Sequence, residues 1–330
     1  MKRREFITLL SGTTVALPFI AWAQQPNAPR RIGVLMAFAE GDSESDRRLL
    51  ALRSELQKLG WTDGRNVRID YRWSPGEKGQ AQAGAAELVQ LQPDVLIAHA
   101  TLSTIALRER TRIIPIVFTA VNEPLTQGFV ASFANPGGNT TGFANSPLTI
   151  GGKWLEILKD IAPDVRTVSV IFNPAVTPIA ETFYRSVEET GKTLGVETSA
   201  VPVSDFAEVE AVMARLGRDP RAGLIFPPDT FMTVRRKMVI ELAAQHRLPA
   251  IYANRSFATD GGLISYSIDA VHQFRQAAEY VDRILRGAKP AELPVQQPNK
   301  FELVINFATA KALNLTVPRN LVVSSTELIQ

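Results

Sequence analysis

Two successive series of buried-strand and amphipathic-helix patterns restrict this chain more than any other feature of it. Ile32 to Ala37 is a continuous apolar run, the pattern of a strand covered on both faces. Leu49, Leu52, Leu56 and Leu59 then recur on one helical stripe, which Gly60 ends. Val67 to Tyr71 alternates as a second strand, 81–91 reads as a helix, 94–98 as the third strand, 102–110 as a helix and 115–120 as the fourth strand. Four strands with helices between them make half of a doubly wound sheet. The turn-rich segment 135–142 interrupts the pattern, and a second series follows. Its expected helices are 150–161, 181–194, 208–216 and 233–246; its expected strands are 167–172, 196–203, 222–226, 249–252 and 263–266.

The remainder belongs to neither series. Val271, Phe274, Ala278, Val281 and Leu285 form a further helical stripe, Pro290 to Pro298 reads as an extended connector, 301–306 as a strand and 309–313 as a short helix. Two α/β lobes joined by more than one crossing use these elements naturally: helix 269–286 returns to the first lobe and strand 301–306 to the second. The expected division is an N-terminal lobe of 30–145 plus 267–299 and a C-terminal lobe of 146–266 plus 300–330. At 330 residues the chain is long enough for two cores.

Residues 1–23 read as a cleavable export signal. Lys2, Arg3 and Arg4 precede an apolar stretch from Ile7 to Ile20, and Ala21-Trp22-Ala23 offers small residues two apart, leaving Gln24 as the new N-terminus. The stretch is shorter than the roughly 20 residues that span a bilayer, which disfavours an uncleaved anchor. The paired arginines before Phe6 and Ile7 have the form of a twin-arginine signal, with Sec export as the alternative route. Most of the formal net charge of +3 lies in the first five residues, so the basic balance does not argue for nucleic acid. With no cysteine, disulfides, thiol nucleophiles, Cys-based metal sites and a lipid anchor at the cleavage site are all excluded. The expected product is a free, monomeric periplasmic protein.

Signatures of catalysis are missing. The sequence has no G-x-S-x-G, no G-x-G-x-x-G and no phosphate loop, and its three histidines, His99, His246 and His272, stand apart. No enzyme activity, metal or cofactor is expected. Binding candidates come instead from position, because open α/β sheets collect ligands beyond the C-terminal ends of their strands. Those loops hold Phe38, then Thr101, Leu102 and Ser103, then Asn122 and Glu123 in the first lobe, and Asn173, Asp229 and Arg255 in the second. Thr101 and Ser103 open a helix whose free N–H groups favour a carboxylate; serving only as caps is the competing role. Asn173 and Asp229 suit a ligand amine or hydroxyl, although Asn173-Pro174 equally makes a turn. Arg255 can grip a carboxylate or sit in a surface ion pair. Trp61, Trp73 and Trp154 lie at element boundaries and read as packing residues.

Taken in order, several segments resemble the ABC-transporter substrate-binding protein family that includes the tryptophan/tyrosine-type solute-binding proteins. They are IGVL at 32–35, LGWTDGRNV at 59–67, DYRW at 70–73, AELVQLQPDVLIA at 86–98, IPIVF at 114–118, NPGGNTTG at 135–142, LPAIY at 248–252 and GGLISY at 261–266. The most specific are AEYVDRILRGAKPAELPVQQPNKFELVIN at 278–306 and TAKALNLTVP at 309–318. The resemblance implies a periplasmic binding protein type I fold: two doubly wound, Rossmann-like lobes, a three-strand hinge and a ligand in the cleft. It also implies a receptor that delivers an amino acid or an aromatic or apolar carboxylate to an ABC permease. The family's Gly-Thr-Pro at the helix start is Ala100-Thr101-Leu102 here, and its Gly-Asp-Pro is Asn122-Glu123-Pro124, so the departures fall on the expected ligand loops. A sensory module for a signalling receptor, and an exported enzyme on the same scaffold, are the alternatives.

Overall fold

The computed structural model describes residues 29–177 and 180–330, so the expected signal at 1–23 lies outside the described residues. The first lobe is built from β1 (Arg30–Met36), α1 (Ser43–Lys58), β2 (Val67–Trp73), α2 (Lys78–Gln90), β3 (Val95–His99), α3 (Ala100–Arg110), β4 (Ile116–Val121) and β5 (Thr140–Ala144). Its sheet has the order β2-β1-β3-β4-β5, every pair parallel. Alternation along β1 explains why both faces are covered. Ile32, Val34 and Met36 enter one core with Leu49, Leu52 and Leu56 of α1, while Leu35 enters the other with Ala81, Ala85 and Leu88 of α2.

The second lobe continues with α4 (Ile150–Ile161), β6 (Thr167–Phe172), α5 (Ala180–Leu194), β7 (Glu197–Pro202), α6 (Phe206–Leu216), β8 (Ala222–Phe226), α7 (Thr230–Val234), α8 (Arg236–Gln245), β9 (Ala250–Tyr252), α9 (Arg255–Thr259) and β10 (Ile264–Ile268). Then come α10 (Ala270–Leu285), β11 (Phe301–Asn306), α11 (Phe307–Ala312), α12 (Arg319–Ser324) and β12 (Glu327–Ile329). The second sheet runs β12-β11-β10-β9-β8-β6-β7, parallel except where β11 enters antiparallel to β10.

The chain passes between the sheets three times: after β5, after β10, and before β11. Helix α10 does return to the first lobe, where Phe274, Ala277, Ala278, Val281 and Leu285 fill the same core as α1. The last crossing leaves the first sheet at Gln296, which bridges Phe143, and Ile268 pairs with Phe301 where the second and third crossings meet. The result is the expected α/β architecture of two mostly parallel sheets joined by a three-strand connection.

Local differences from the expected elements have physical causes. Segment 135–142 is not simply a turn, because Thr140–Ala144 forms the buried edge strand β5. Gly142 has φ +149°, and a Cβ there would overlap the Phe118 carbonyl oxygen, so this glycine permits close strand approach rather than breaking the strand. The register shift between Phe118 and Val121, with Ala120 at φ +53°, lies beside it. The single helix expected at 233–246 is two, α7 and α8, divided at Arg235. The Asp229 side chain caps α7 through the Met232 N–H, which moves the helix start upstream to Thr230. Helix α9, capped by Asn254, and the terminal α12 and β12 are additional elements.

Candidate functional site

A cavity enclosing about 790 Å³ of open space, part of it continuous with solvent, lies between the lobes at the C-terminal ends of their strands. Phe38, Ala100, Thr101, Leu102 and Asn122 line it from the first lobe, and Val176, Thr177, Asp229, Thr230 and Arg255 from the second. Thus Phe38, Thr101, Leu102, Asn122, Asp229 and Arg255 of the expected residues come together. Ser103, Glu123 and Asn173 are not among the lining residues. Ser103 is fully buried and its hydroxyl has no partner among the described residues. Glu123 occupies a left-handed position at φ +43°. Asn173 works locally: its Oδ1 accepts from Ala175 N–H at 2.9 Å, and its own backbone N–H donates to Asp229 at 2.6 Å. None of Trp61, Trp73 and Trp154 lines the cavity; Trp154 is fully buried, and its indole N–H donates to the Tyr266 carbonyl at 2.8 Å.

The first-lobe wall is set by the start of α3. His99 precedes the helix without a side-chain cap, Ala100 sits at φ +68°, and Ala100, Thr101 and Leu102 face the cavity. First-turn N–H groups have no intrahelical acceptors, and the helix dipole is positive at this end. The Thr101 hydroxyl accepts from Asn122 N–H at 3.4 Å, which leaves its proton free to donate. Asn122 is held through its carbonyl by the Gln127 amide, whereas its Oδ1 is buried with no partner among the described residues.

A charged group lies at the other side of this wall. Arg48 is almost fully buried, with its guanidinium 4.8 Å from the Phe38 ring centroid and Nη1 2.7 Å from His99 Nε2. Burial, then the Arg48 charge, hold His99 well below the usual histidine range, so the ring is neutral. A neutral imidazole accepts at one nitrogen only, and the short Arg48 contact takes it in preference to Ala37 N–H, 3.3 Å from Nδ1. Glu44 pairs with Arg47 at 2.7 Å and Arg48 at 3.4 Å. Burial pulls its carboxyl up, but Arg48 and Arg47 outweigh burial and hold it below its ordinary value.

In the second lobe, Asp229 is buried and pushed up to about 6 by desolvation, against hydrogen bonds from the Asn173, Met232 and Phe231 N–H groups and the Thr177 hydroxyl. Arg255 is engaged by Glu327, with Glu302 3.8 Å away. Burial, then Asp269, raise the Glu302 carboxyl. Four lining residues carry a buried polar atom with no partner among the described residues: Arg48 Nε, Asn122 Oδ1, Thr230 Oγ1 and Ser267 Oγ. Buried polar groups are ordinarily paired, and these four belong to residues that line one shared space. No group of three or more His, Cys, Asp or Glu suited to a metal occurs among the described residues.

A family profile described as ABC transporter substrate binding protein matches residues 31–329. The chain belongs to this family. Among relatives of this substrate-binding protein is the tyrosine-binding protein of Clostridioides difficile, 28% identical over 261 residues, which span 79% of this chain and 74% of the relative. Among solved structures, a conserved domain protein from Vibrio cholerae is 27% identical with a TM-score of 0.82, covering 91% of this chain and 99% of the other. A Streptococcus pneumoniae ABC domain in complex with L-Trp is 22% identical with a TM-score of 0.83, covering 92% and 100%; at that identity the likeness concerns the fold. Proteins of this family are ligand-binding components of transporters rather than enzymes. Members are typically extracytoplasmic, and among the described residues no helix of this substrate-binding protein is long and apolar enough to cross a membrane.

Reading only the strand-end loops missed Glu44, Arg47 and Arg48, and missed the crossing residues Asn145, Ser267, Ile268 and Glu302. A signal for Arg48 was present. It lies four residues before Leu52 on the buried stripe of α1, a charged residue where an apolar one is expected. The crossing residues reach the cavity through topology and carry no local pattern.

Proposed function

We propose that this substrate-binding protein is a periplasmic receptor that captures a small organic solute, an amino acid or an apolar or aromatic carboxylate, and delivers it to an ABC importer. The convergence of the start of α3, Thr101, Asn122 and Asp229 on one interlobe cavity carries this reading. The solute carboxylate binds at the first turn of α3, where the N–H groups and the Thr101 hydroxyl converge. Its amine or hydroxyl donates to Asn122 Oδ1 and Asp229, and its apolar body lies against Phe38, Leu102, Val176 and Val271. The relatives named for tyrosine and bound to L-Trp support an aromatic amino acid as the first solute to test.

The lobes, divided near 145, 267 and 300, close over the solute by bending at the three crossings. Closure removes water from the polar contacts, and the solute favours it only by its extra affinity for the closed form. The protein leaves the cytoplasm through the signal at 1–23 by the twin-arginine route and is released as a free monomer. Native mass spectrometry of protein purified from its own periplasm tests the function: a retained small molecule, intact over time, is expected. Absence of any bound solute, together with no thermal shift across a panel of amino acids and aromatic acids, would refute it.

A further inference from the structure

Side chains of the two lobes meet directly across the cleft. Arg236, the first residue of α8, is almost fully buried. In its own lobe, its Nε donates to Asp260 at 2.7 Å and its Nη1 to the Thr233 carbonyl at 3.2 Å. Across the cleft, Nη1 donates to Asp42 Oδ2 at 2.8 Å. The other Asp42 oxygen accepts from the N–H groups of Glu44 and Ser45, at 2.9 and 3.3 Å, and so caps α1. The first two turns of that helix carry Glu44, Arg47 and Arg48 into the cavity. One carboxylate therefore ties the lobes together with one oxygen and sets the cavity helix with the other.

Neighbouring contacts point the same way. Arg235 lies 3.7 Å from Glu77, and the atoms nearest a Cβ at Gly76 would be second-lobe backbone, at Thr230 and Phe231. Val234 packs on the first-lobe core, and Val176 touches the cores of both lobes.

We propose that Arg236 is a positioning residue for solute capture: a latch, pre-oriented by Asp260 in the second lobe, that engages Asp42 when the lobes meet. Opening breaks one charged hydrogen bond and leaves Arg236 paired, so the latch releases without stranding a buried charge. Engagement also fixes the α1 cap and hence the cavity positions of Glu44, Arg47 and Arg48. The inference extends the closing-cleft reading and is independent of which solute is carried.

The cysteine-free sequence makes the test direct. Ser54→Cys on α1 and Glu241→Cys on α8, both exposed, are spin labelled in the full mature chain, and their separation is measured without added solute. The unaltered background is expected to contain the short separation of the lobes in contact. Asp42→Asn retains a capping oxygen and the Arg236–Asp260 pair. It is expected to lower the ratio of short to long separations by about ten- to a hundredfold, the range of a charged hydrogen bond. Arg236→Gln should do the same and Arg236→Lys less, while Asp42→Asn leaves the melting temperature within about 2 °C. Distributions unchanged by Asp42→Asn and Arg236→Gln, or a background with no short population, overturn the latch. That failure would leave the receptor reading standing, because solute retention decides the latter.

Discussion

Asp229 offers a test of how the cleft treats a carboxylate. Desolvation raises its pKa from 3.8 to about 6 despite the backbone and Thr177 hydrogen bonds that favour the charged form. About two pKa units correspond to roughly 3 kcal/mol that the folded protein carries when the group is ionised. Because the folded value is the raised one, the folded state binds the proton more tightly than the unfolded chain. The stabilisation is therefore complete below pH 3.8 and is lost as pH rises through about 6. Between about pH 5 and 7.5 the swing attributable to Asp229 is roughly 1.4 kcal/mol. Urea unfolding of the unaltered protein and of Asp229→Asn across that range isolates it, because the raised Glu302 titrates in both and cancels. The variant places an amide beside the Asn173 N–H and is expected to be less stable throughout, so only the change of the difference with pH is informative. A pH-independent difference would refute the desolvation argument. A solute ammonium beside Asp229 would restore the ionised form, so amino-acid binding near pH 6 is expected to release a proton, measurable as buffer-dependent heat in calorimetry.

Three further outcomes follow from the geometry. Ser267→Ala removes a hydroxyl without a partner among the described residues; stability should stay within about 0.5 kcal/mol while solute affinity falls several-fold, and a variant with unchanged affinity places Ser267 outside the solute contacts. Gly142→Ala forces a side chain onto the Phe118 carbonyl at φ +149° and should cost about 3 kcal/mol in urea unfolding; a loss below about 0.5 would mean that β5 moves aside easily. Intact mass of the exported protein should correspond to a chain beginning at Gln24, and a retained N-terminus would point to an anchor.

The buried strands and the α10 stripe were legible because covered parallel sheets require continuous apolar runs, and helices packed on them require a period near 3.6. Strand β5 was not. Its glycine and threonines carry the composition of a turn, and the need for glycine arises from Phe118 on the neighbouring strand, which no local window contains. The site divides in the same way. Thr101, Asn122 and Asp229 follow strands and can be found by position, whereas Ser267 and Glu302 reach the cavity only because the chain crosses there. Asn173 shows the limit of position: it ends a strand, but it organises Asp229 rather than lining the cavity.

The return of α10 to the first sheet has a consequence for the order in which the protein can be made. Until residue 285 has left the ribosome, the apolar face of β3, β4 and β5 beneath α10 lacks that helix's cover, although all five strands of that sheet were finished by residue 144. The first half must wait, with part of its core uncovered, while the second is synthesised. A truncated product ending near 150 would therefore be a sticky, incomplete sheet rather than a small domain. Nascent chains of this length are where chaperone demand should peak.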